Sequence, residues 1–311
     1  MAAGGAPRRC LRRLTPGGKG GCVGALLLAS AIWAFSFGLL KTALGGYDPL
    51  AVAAGRLTLC LALFLPWLRR GPRDRGTRLR LAALGALQFG LMYALYIASF
   101  RWLPAYAVAL FTVFTPLYVV LLDDLGRRRP HPRHLAAALL SVAGAGWVVW
   151  RALPPGTAWP GIALLQGANL CFAAGQLGYR RLRRTERGTD RSEAGNLAWM
   201  YLGAVVFAAV AVAAVGRPAD LLALTPTAAW ALLYLGLLPS GVAFYLWNRG
   251  AARVGAGTLA AANNLKVPLG VAIAWTVFGE PAPYARVLLG LAVVVGAVLW
   301  AVAQENRQER S

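Results

Sequence analysis

The chain has 311 residues, of which 58% are hydrophobic and only 14% are charged, and its mean hydropathy is +0.56. A water-soluble fold cannot bury that much apolar surface, so the composition excludes a soluble globular protein and indicates a membrane protein. A net charge of +21 would also suit nucleic-acid binding, but the basic residues stand in short clusters between apolar segments. This spacing argues against a nucleic-acid surface.

Ten apolar segments follow one another along the chain, and each is long enough to cross a hydrocarbon core of about 30 Å. We therefore predict an all-α integral membrane protein with ten transmembrane helices. The predicted helices cover residues 22–41, 49–68, 79–100, 104–124, 135–151, 159–180, 195–216, 227–248, 256–278 and 284–303.

Lysine and arginine alternate between the gaps that separate these segments. One side of the membrane receives 25 of the 32 basic residues, the other receives five, and Arg56 and Lys266 lie inside segments. Because Lys- and Arg-rich loops stay in the cytoplasm, the distribution predicts cytoplasmic N- and C-termini in the plasma (inner) membrane. The first segment follows a basic stretch but lacks an A-x-A cleavage pattern, so we expect an uncleaved helix after an N-terminal tail at 1–21.

An internal repeat is visible when the chain is shifted by 152 residues, which superimposes Tyr93 on Tyr245 and Pro116 on Pro268. Each copy would hold five helices, an odd number, so the second copy would enter the membrane from the opposite side. We predict inverted repeats at 22–152 and 157–303, followed by a cytoplasmic tail at 304–311. Such a construction is typical of alternating access with a substrate site near the midplane.

Sequence motifs of soluble enzymes, such as GxSxG, a Walker loop, HExxH or CxxC, do not occur in the chain. The four cysteines and two histidines show no metal-ligand spacing, and the acidic residues fall in predicted loops or at helix ends. We therefore predict that the protein is not an enzyme, uses no cofactor and binds no metal.

Lys266 lies near the centre of the ninth segment, in the run Asn263-Asn264-Leu265-Lys266-Val267-Pro268. A charge at that depth costs at least about 2.5–3.5 kcal/mol, so it should face the interior or a wet cavity. Pro268 cannot donate to the carbonyl four residues before it, and an open carbonyl beside two amides would form a polar pocket. Lys266 is a predicted clamp for a substrate carboxylate; a neutral or carbonyl-capping structural lysine is the alternative.

Other polar and aromatic side chains inside the segments are candidates for the same site. Asn169 is predicted, with Asn263 and Asn264, to orient the substrate, although hydrogen bonding between helices would also explain it. Trp33 and Tyr245 are predicted wall residues, with ordinary packing as the alternative. Arg56, Pro116 and Pro268 are predicted structural or gating positions.

Several runs in the chain together resemble the EamA-type permeases of the drug/metabolite transporter superfamily, over about residues 22 to 303. The runs are Ile32-Trp33-Ala34-Phe35-Ser36-Phe37, Ala54-Gly55-Arg56-Leu57, Thr115-Pro116-Leu117, Ala243-Phe244-Tyr245-Leu246-Trp247-Asn248-Arg249, Val267-Pro268-Leu269 and Phe278-Gly279-Glu280. The first copy lacks the Gly-Glu ending, and family members commonly have an apolar residue where this chain has Lys266. The resemblance implies ten helices in two EamA repeats and the movement, frequently the export, of small metabolites.

The residues and the resemblance together predict a secondary transporter, with export as the expected direction, working by alternating access. The expected substrates are amino acids or other carboxylate-bearing compounds, anionic or zwitterionic; the lipid bilayer is the other partner, and a homodimer is left open. A non-transporting membrane scaffold or sensor is the alternative function. A membrane-embedded enzyme is disfavoured because no nucleophile–base pair or carboxylate set is present.

Overall fold

The computed structural model describes residues 19–103, 108, 111–128, 130–149, 159–185, 192–278 and 284–310, and every regular element within these ranges is helical. The helices are α1 (Lys19–Leu44), α2 (Pro49–Phe64, extended by a 3₁₀ turn at Leu65–Arg70), α3 (Arg75–Ser99), α4 (Thr115–Arg127), α5 (Pro132–Val149), α6 (Trp159–Thr185), α7 (Glu193–Val215), α8 (Pro226–Ala251), α9 (Ala256–Asn263), α10 (Lys266–Phe278) and α11 (Tyr284–Arg310).

The starts of the apolar helices are marked by capping side chains. The Asp48 carboxylate accepts from the Ala51 N–H at 3.0 Å at the start of α2, and Asp74 accepts from the Thr77 N–H at 2.7 Å in α3. Ser192 and Thr225 cap α7 and α8 in the same way. Each cap satisfies an N–H group that a helix would otherwise leave without a partner, so short polar segments delimit long apolar helices.

Four helical stretches among the described residues are long and apolar enough to cross a membrane, namely Pro49–Arg70, Arg75–Ser99, Glu193–Val215 and Pro226–Ala251. The prediction of a helical, multi-pass membrane protein is therefore confirmed, whereas the count of ten spans stays a prediction. The predicted tail before residue 19, the first residues of the predicted fourth helix and the Gly279-Glu280 motif lie outside the described residues. Helix α11 continues to Arg310 through most of the predicted C-terminal tail.

The predicted ninth helix is interrupted at Asn264 and Leu265, between α9 and α10. Pro268 explains the interruption because it has no N–H to donate to the Asn264 carbonyl. That carbonyl instead accepts from the Val267 N–H at 3.1 Å. The sequence predicts an open carbonyl at this point, but the tightened turn supplies that carbonyl with a donor.

Helices α3 and α8 each contain a π turn, at Ala86–Leu91 and at Gly236–Val242 respectively. The 152-residue shift that superimposes the two halves of the sequence brings these two turns onto overlapping positions. A π turn carries one more residue than an α-helical turn and is frequent at functional sites. The turn in α8 includes Pro239 and Ser240, both of which contact residues of the site described below.

An aromatic layer holds the centre of the bundle together where α1, α6 and α8 meet. The ring centroid of Trp33 lies 6.1 Å from that of Phe172 and 4.9 Å from those of Phe244 and Trp247. Phe89 of α3 packs edge-on against Phe244 at 4.8 Å. These rings are largely buried, and three of them, Trp33, Phe172 and Phe244, form one wall of the central cavity.

Candidate functional site

A central cavity of about 690 Å³, including its opening, lies between α1, α2, α3, α6, α8 and α10 and the start of α4. The described residues that line it include two cations and no Asp or Glu. They are Trp33, Ser36, Leu40, Arg56, Met92, Tyr93, Tyr96, Thr112, Thr115, Ala168, Asn169, Phe172, Phe244 and Lys266.

Lys266 enters the cavity as the first residue of α10, immediately after the interruption in the helix. Its Nζ lies 5.6 Å from the ring centroids of both Trp33 and Phe172. Within the described part of the chain, no carboxylate lies within ion-pairing distance of this ammonium group. Aromatic faces attract a cation but supply no counter-charge, so these contacts leave an ammonium group at this position without an anionic partner.

Arg56 of α2 reaches the cavity from another side, with only 3% of the residue exposed. Its Nε and Nη2 donate to the Ser240 hydroxyl at 3.2 and 2.8 Å, and Nη2 also donates to the Tyr93 hydroxyl at 3.3 Å. The guanidinium carbon lies 4.4 Å from the centroid of the Tyr93 ring. All of these partners are neutral, so they orient the guanidinium group but leave its charge uncompensated.

The π turn of α8 supplies the groups that hold Arg56 and Trp33. The Tyr93 and Ser240 hydroxyls are 2.9 Å apart, and the Tyr201 hydroxyl donates to the Ser240 carbonyl. The Trp33 indole N–H donates to the Pro239 carbonyl at 2.8 Å. Because the backbone bonds of a π turn are shifted, side chains from α1 and α7 can reach its carbonyl groups.

Asn169 lies on α6, and 5% of the residue is exposed. Its Nδ2 donates to the Phe111 carbonyl at 2.9 Å and to the Gln166 side-chain oxygen at 3.2 Å. The Tyr118 hydroxyl of α4 donates to the same Gln166 oxygen at 3.0 Å. This network ties α6 to α4 and fixes the Asn169 amide at the cavity wall.

Four of the residues singled out from the sequence line the same cavity, namely Lys266, Asn169, Trp33 and Arg56. Each is an unusually polar or large side chain inside an apolar segment, and this property made it a candidate. Arg56 was predicted to be structural or gating, and the structure adds that it faces the cavity.

Five other candidates lie away from the cavity lining. Asn264 donates to the Val113 carbonyl at 2.9 Å and to the Ser141 hydroxyl at 3.4 Å, so it joins helices. Asn263 is 1% exposed, and neither of its amide atoms has a hydrogen-bond partner among the described residues. Tyr245 stacks on Phe64 at 6.2 Å. Pro116 and Pro268 occupy the first turns of α4 and α10.

Ser240 is not among the site residues predicted from the sequence, although its hydroxyl accepts from Arg56. The signal was present in Leu238-Pro239-Ser240-Gly241, because a proline inside an apolar helix predicts a local distortion with exposed backbone groups. Thr112 and Thr115 also line the cavity. Small hydroxyl residues are too common in membrane helices to be selected without the structure.

A sequence profile of the EamA-like transporter family matches the chain twice, at residues 21–150 and 159–302. The chain is 35% identical over 278 residues to the biotin transporter of Salmonella typhimurium, covering 88% of this chain and 91% of the relative. It is 38% identical over 292 residues to the probable biotin transporter of Pseudomonas aeruginosa, covering 92% and 99% respectively.

A solved crystal structure shares the fold, with a TM-score of 0.73 over 92% of this chain and 98% of the other. Sequence identity between the two is 20%, so this similarity concerns the fold alone.

Proposed function

Because this chain belongs to the EamA-like transporter family, with one family domain in each half, we propose that it carries carboxylate-bearing compounds across the membrane. Biotin is the first candidate, as it is the compound in the names of both relatives. The protein is a transporter for small molecules and not an enzyme. Alternating access, with the central cavity as the substrate site, is the mechanism that we propose.

One observation supports this substrate class above all: Lys266 and Arg56 line one cavity whose described lining contains no carboxylate. Arg56 is buried and Lys266 is partly buried, and cations with only neutral partners in such surroundings are costly unless an anion joins them. A substrate carboxylate supplies that anion, and it gains charge-assisted hydrogen bonds in surroundings of low polarity. Lys266 and Arg56 therefore act as the anion-binding groups of the carrier.

The same charges favour a carboxylate without a neighbouring ammonium group. An α-amino acid would bring a third cation into the cavity, and the described lining offers no carboxylate to pair with it. Like charges held close together in a buried site cost several kcal/mol. Among the predicted substrates, the anionic compounds are therefore preferred to the zwitterionic ones, and biotin, a monoanion at neutral pH, meets this condition.

The aromatic part of the lining suits the remainder of such a substrate. Trp33, Phe172 and Phe244 present ring faces and edges to the cavity, next to Lys266. A fused ring system of small size can pack against these rings while its carboxylate reaches a cation. In this arrangement Trp33 keeps the wall role predicted from the sequence.

Counterflow in proteoliposomes tests the proposal without knowledge of a driving ion. Vesicles with the purified protein are loaded with unlabelled biotin, diluted into labelled biotin, and compared with protein-free vesicles. We expect transient accumulation of label, inhibition by external unlabelled biotin, and no inhibition by biotinamide, which lacks the carboxylate. Equal inhibition by biotinamide would contradict the anion site.

Absence of flux for biotin and for a panel of other carboxylates would favour the scaffold or sensor alternative. The direction of net transport, predicted as export, is tested separately by uptake and efflux of labelled biotin in cells with and without the gene.

A further inference from the structure

Asn169 is a buried amide whose orientation is determined by its neighbours. Its Nδ2 lies 2.9 Å from the Phe111 carbonyl oxygen, an atom that can only accept a hydrogen bond. The nitrogen of the amide must therefore face Phe111, because the opposite orientation would place two oxygen atoms against each other. The second Nδ2 hydrogen points to the Gln166 side-chain oxygen at 3.2 Å.

The Gln166 side chain is itself oriented by hydrogen bonds, so the orientation of Asn169 depends on more than one contact. The Gln166 oxygen accepts from the Tyr118 hydroxyl at 3.0 Å, and its Nε2 donates to the Phe111 carbonyl at 3.3 Å. Both donor hydrogens of Asn169 are consequently engaged. The relay from Tyr118 through Gln166 presets the amide before any ligand arrives.

The side-chain oxygen of Asn169 is the group left for a ligand. Among the described residues, no donor lies within hydrogen-bond distance of this Oδ1, although Asn169 is 95% buried and lines the cavity. Lys266 and Arg56 can only donate hydrogen bonds, so neither can receive an N–H group of the substrate. Asn169 Oδ1 is an acceptor in a cavity whose charged groups are donors.

We propose that Asn169 selects, among the carboxylates, those that also carry a neutral N–H donor such as a ureido or amide group. This inference rests on the proposed function, since the carboxylate must be bound by Lys266 and Arg56 in the same cavity. Tyr118 and Gln166 are positioning residues that fix the orientation of the Asn169 amide at the cavity wall. A substrate with the carboxylate but no N–H leaves a buried acceptor unpaired, which a polar site penalises strongly.

Equilibrium binding to the purified protein tests the inference with biotin, dethiobiotin and lipoate. Dethiobiotin keeps the ureido group, whereas lipoate keeps the pentanoate tail and a sulfur-containing five-membered ring but has no N–H. We expect dethiobiotin to bind within about tenfold of biotin, and lipoate, which leaves the buried acceptor unpaired, to bind about 10- to 100-fold more weakly. Equal binding of lipoate and biotin by the unmodified protein would overturn the inference.

The variant Asn169→Leu tests whether Asn169 causes the difference in affinity between biotin and lipoate. Its affinity for biotin should fall to the level of lipoate while its affinity for lipoate stays unchanged, which also shows that the variant is folded. Tyr118→Phe, which removes one donor to Gln166, should reduce the ratio between the two affinities without abolishing binding. Equal losses for biotin and lipoate in Asn169→Leu would mean that Asn169 only supports packing, and the inference would be wrong.

A second pair of ligands tests the role of Asn169 independently of whether biotin is a substrate. The compounds 6-acetamidohexanoate and 8-oxononanoate differ only by an N–H in place of a CH₂ group. Tighter binding of the acetamido compound, lost in Asn169→Leu, would support the role of Asn169 even if biotin does not bind. Binding of both compounds with equal affinity would overturn that role while leaving the carboxylate site intact.

Discussion

Lys266→Met should weaken substrate binding and at the same time stabilise the ligand-free protein. Methionine has a similar length and no charge, so the change removes the ammonium group and keeps most of the contact with Trp33 and Phe172. A hydrogen bond to a charged partner contributes about 1.5–3 kcal/mol. At 1.4 kcal/mol per factor of ten, the affinity for biotin should fall about 10- to 150-fold.

The stability of the same variant should change in the opposite direction. Among the described residues the ammonium group has no carboxylate partner, so replacing it removes the free-energy cost of a partly buried charge. Apolar replacements of buried ion pairs are neutral or stabilise proteins by about 1–4 kcal/mol in other cases. The melting temperature of the ligand-free variant should therefore rise, and biotin at a given concentration should stabilise the variant less than it stabilises the unmodified protein.

Thermal unfolding and equilibrium binding of the two proteins measure both effects, with Arg286→Met as the matched control. Arg286 is exposed and lies over the Trp147 ring, outside the cavity, so its removal should leave affinity unchanged. Unaltered affinity in Lys266→Met would refute the anion-binding role. A fall in both affinity and melting temperature would instead favour a lysine that joins helices, the alternative that the sequence left open.

Three further predictions concern the packing, the second cation and the topology. A Cβ at Gly85 would lie 1.8 Å from the Met200 carbonyl oxygen, so Gly85→Ala should separate α3 from α7 and lower the melting temperature, whereas Gly146→Ala, with open space around it, should be nearly neutral. Arg56→Lys should bind biotin more weakly than the unmodified protein and more strongly than Arg56→Met, because an ammonium keeps the charge but loses the paired contacts; equal binding by all three would show that Arg56 is structural. A single cysteine introduced at Arg73 in a cysteine-free background should react with impermeant reagents only from the cytoplasm, and labelling from outside would reverse the predicted orientation.

The helical segments could be read from the sequence because their ends are chemically marked. Apolar runs of transmembrane length leave few alternatives, and the caps at Asp48, Asp74 and Thr225 stand where the runs begin. The extra turn in α3 and α8 could not be read in this way. A π turn arises when a helix accommodates one extra residue. The hydrophobic pattern extends over the whole helix, so a change of one residue within it does not show.

Some of the residues that line the cavity could be predicted from the sequence, for a physical reason. Polar groups in apolar helices are costly unless they face the interior, and this rule selected Lys266, Arg56 and Asn169. This rule does not predict whether a given polar side chain faces the cavity or a neighbouring helix. Asn263 and Asn264 precede Lys266 by only a few residues, yet neither lines the cavity, and Asn264 donates instead to the Val113 carbonyl and the Ser141 hydroxyl.

Because of the π turn, the number of residues in α8 cannot change without altering the contacts of the helix. Deleting one residue within Gly236–Val242 would restore ordinary helical pairing and rotate every later residue of α8 by about 100° relative to the turns before it. Phe244 and Trp247 would then leave Trp33, while the composition and hydropathy of the helix would hardly change. A deletion at this point should therefore be far more damaging than most substitutions, and an alignment gap placed there between two relatives would signal a rebuilt cavity.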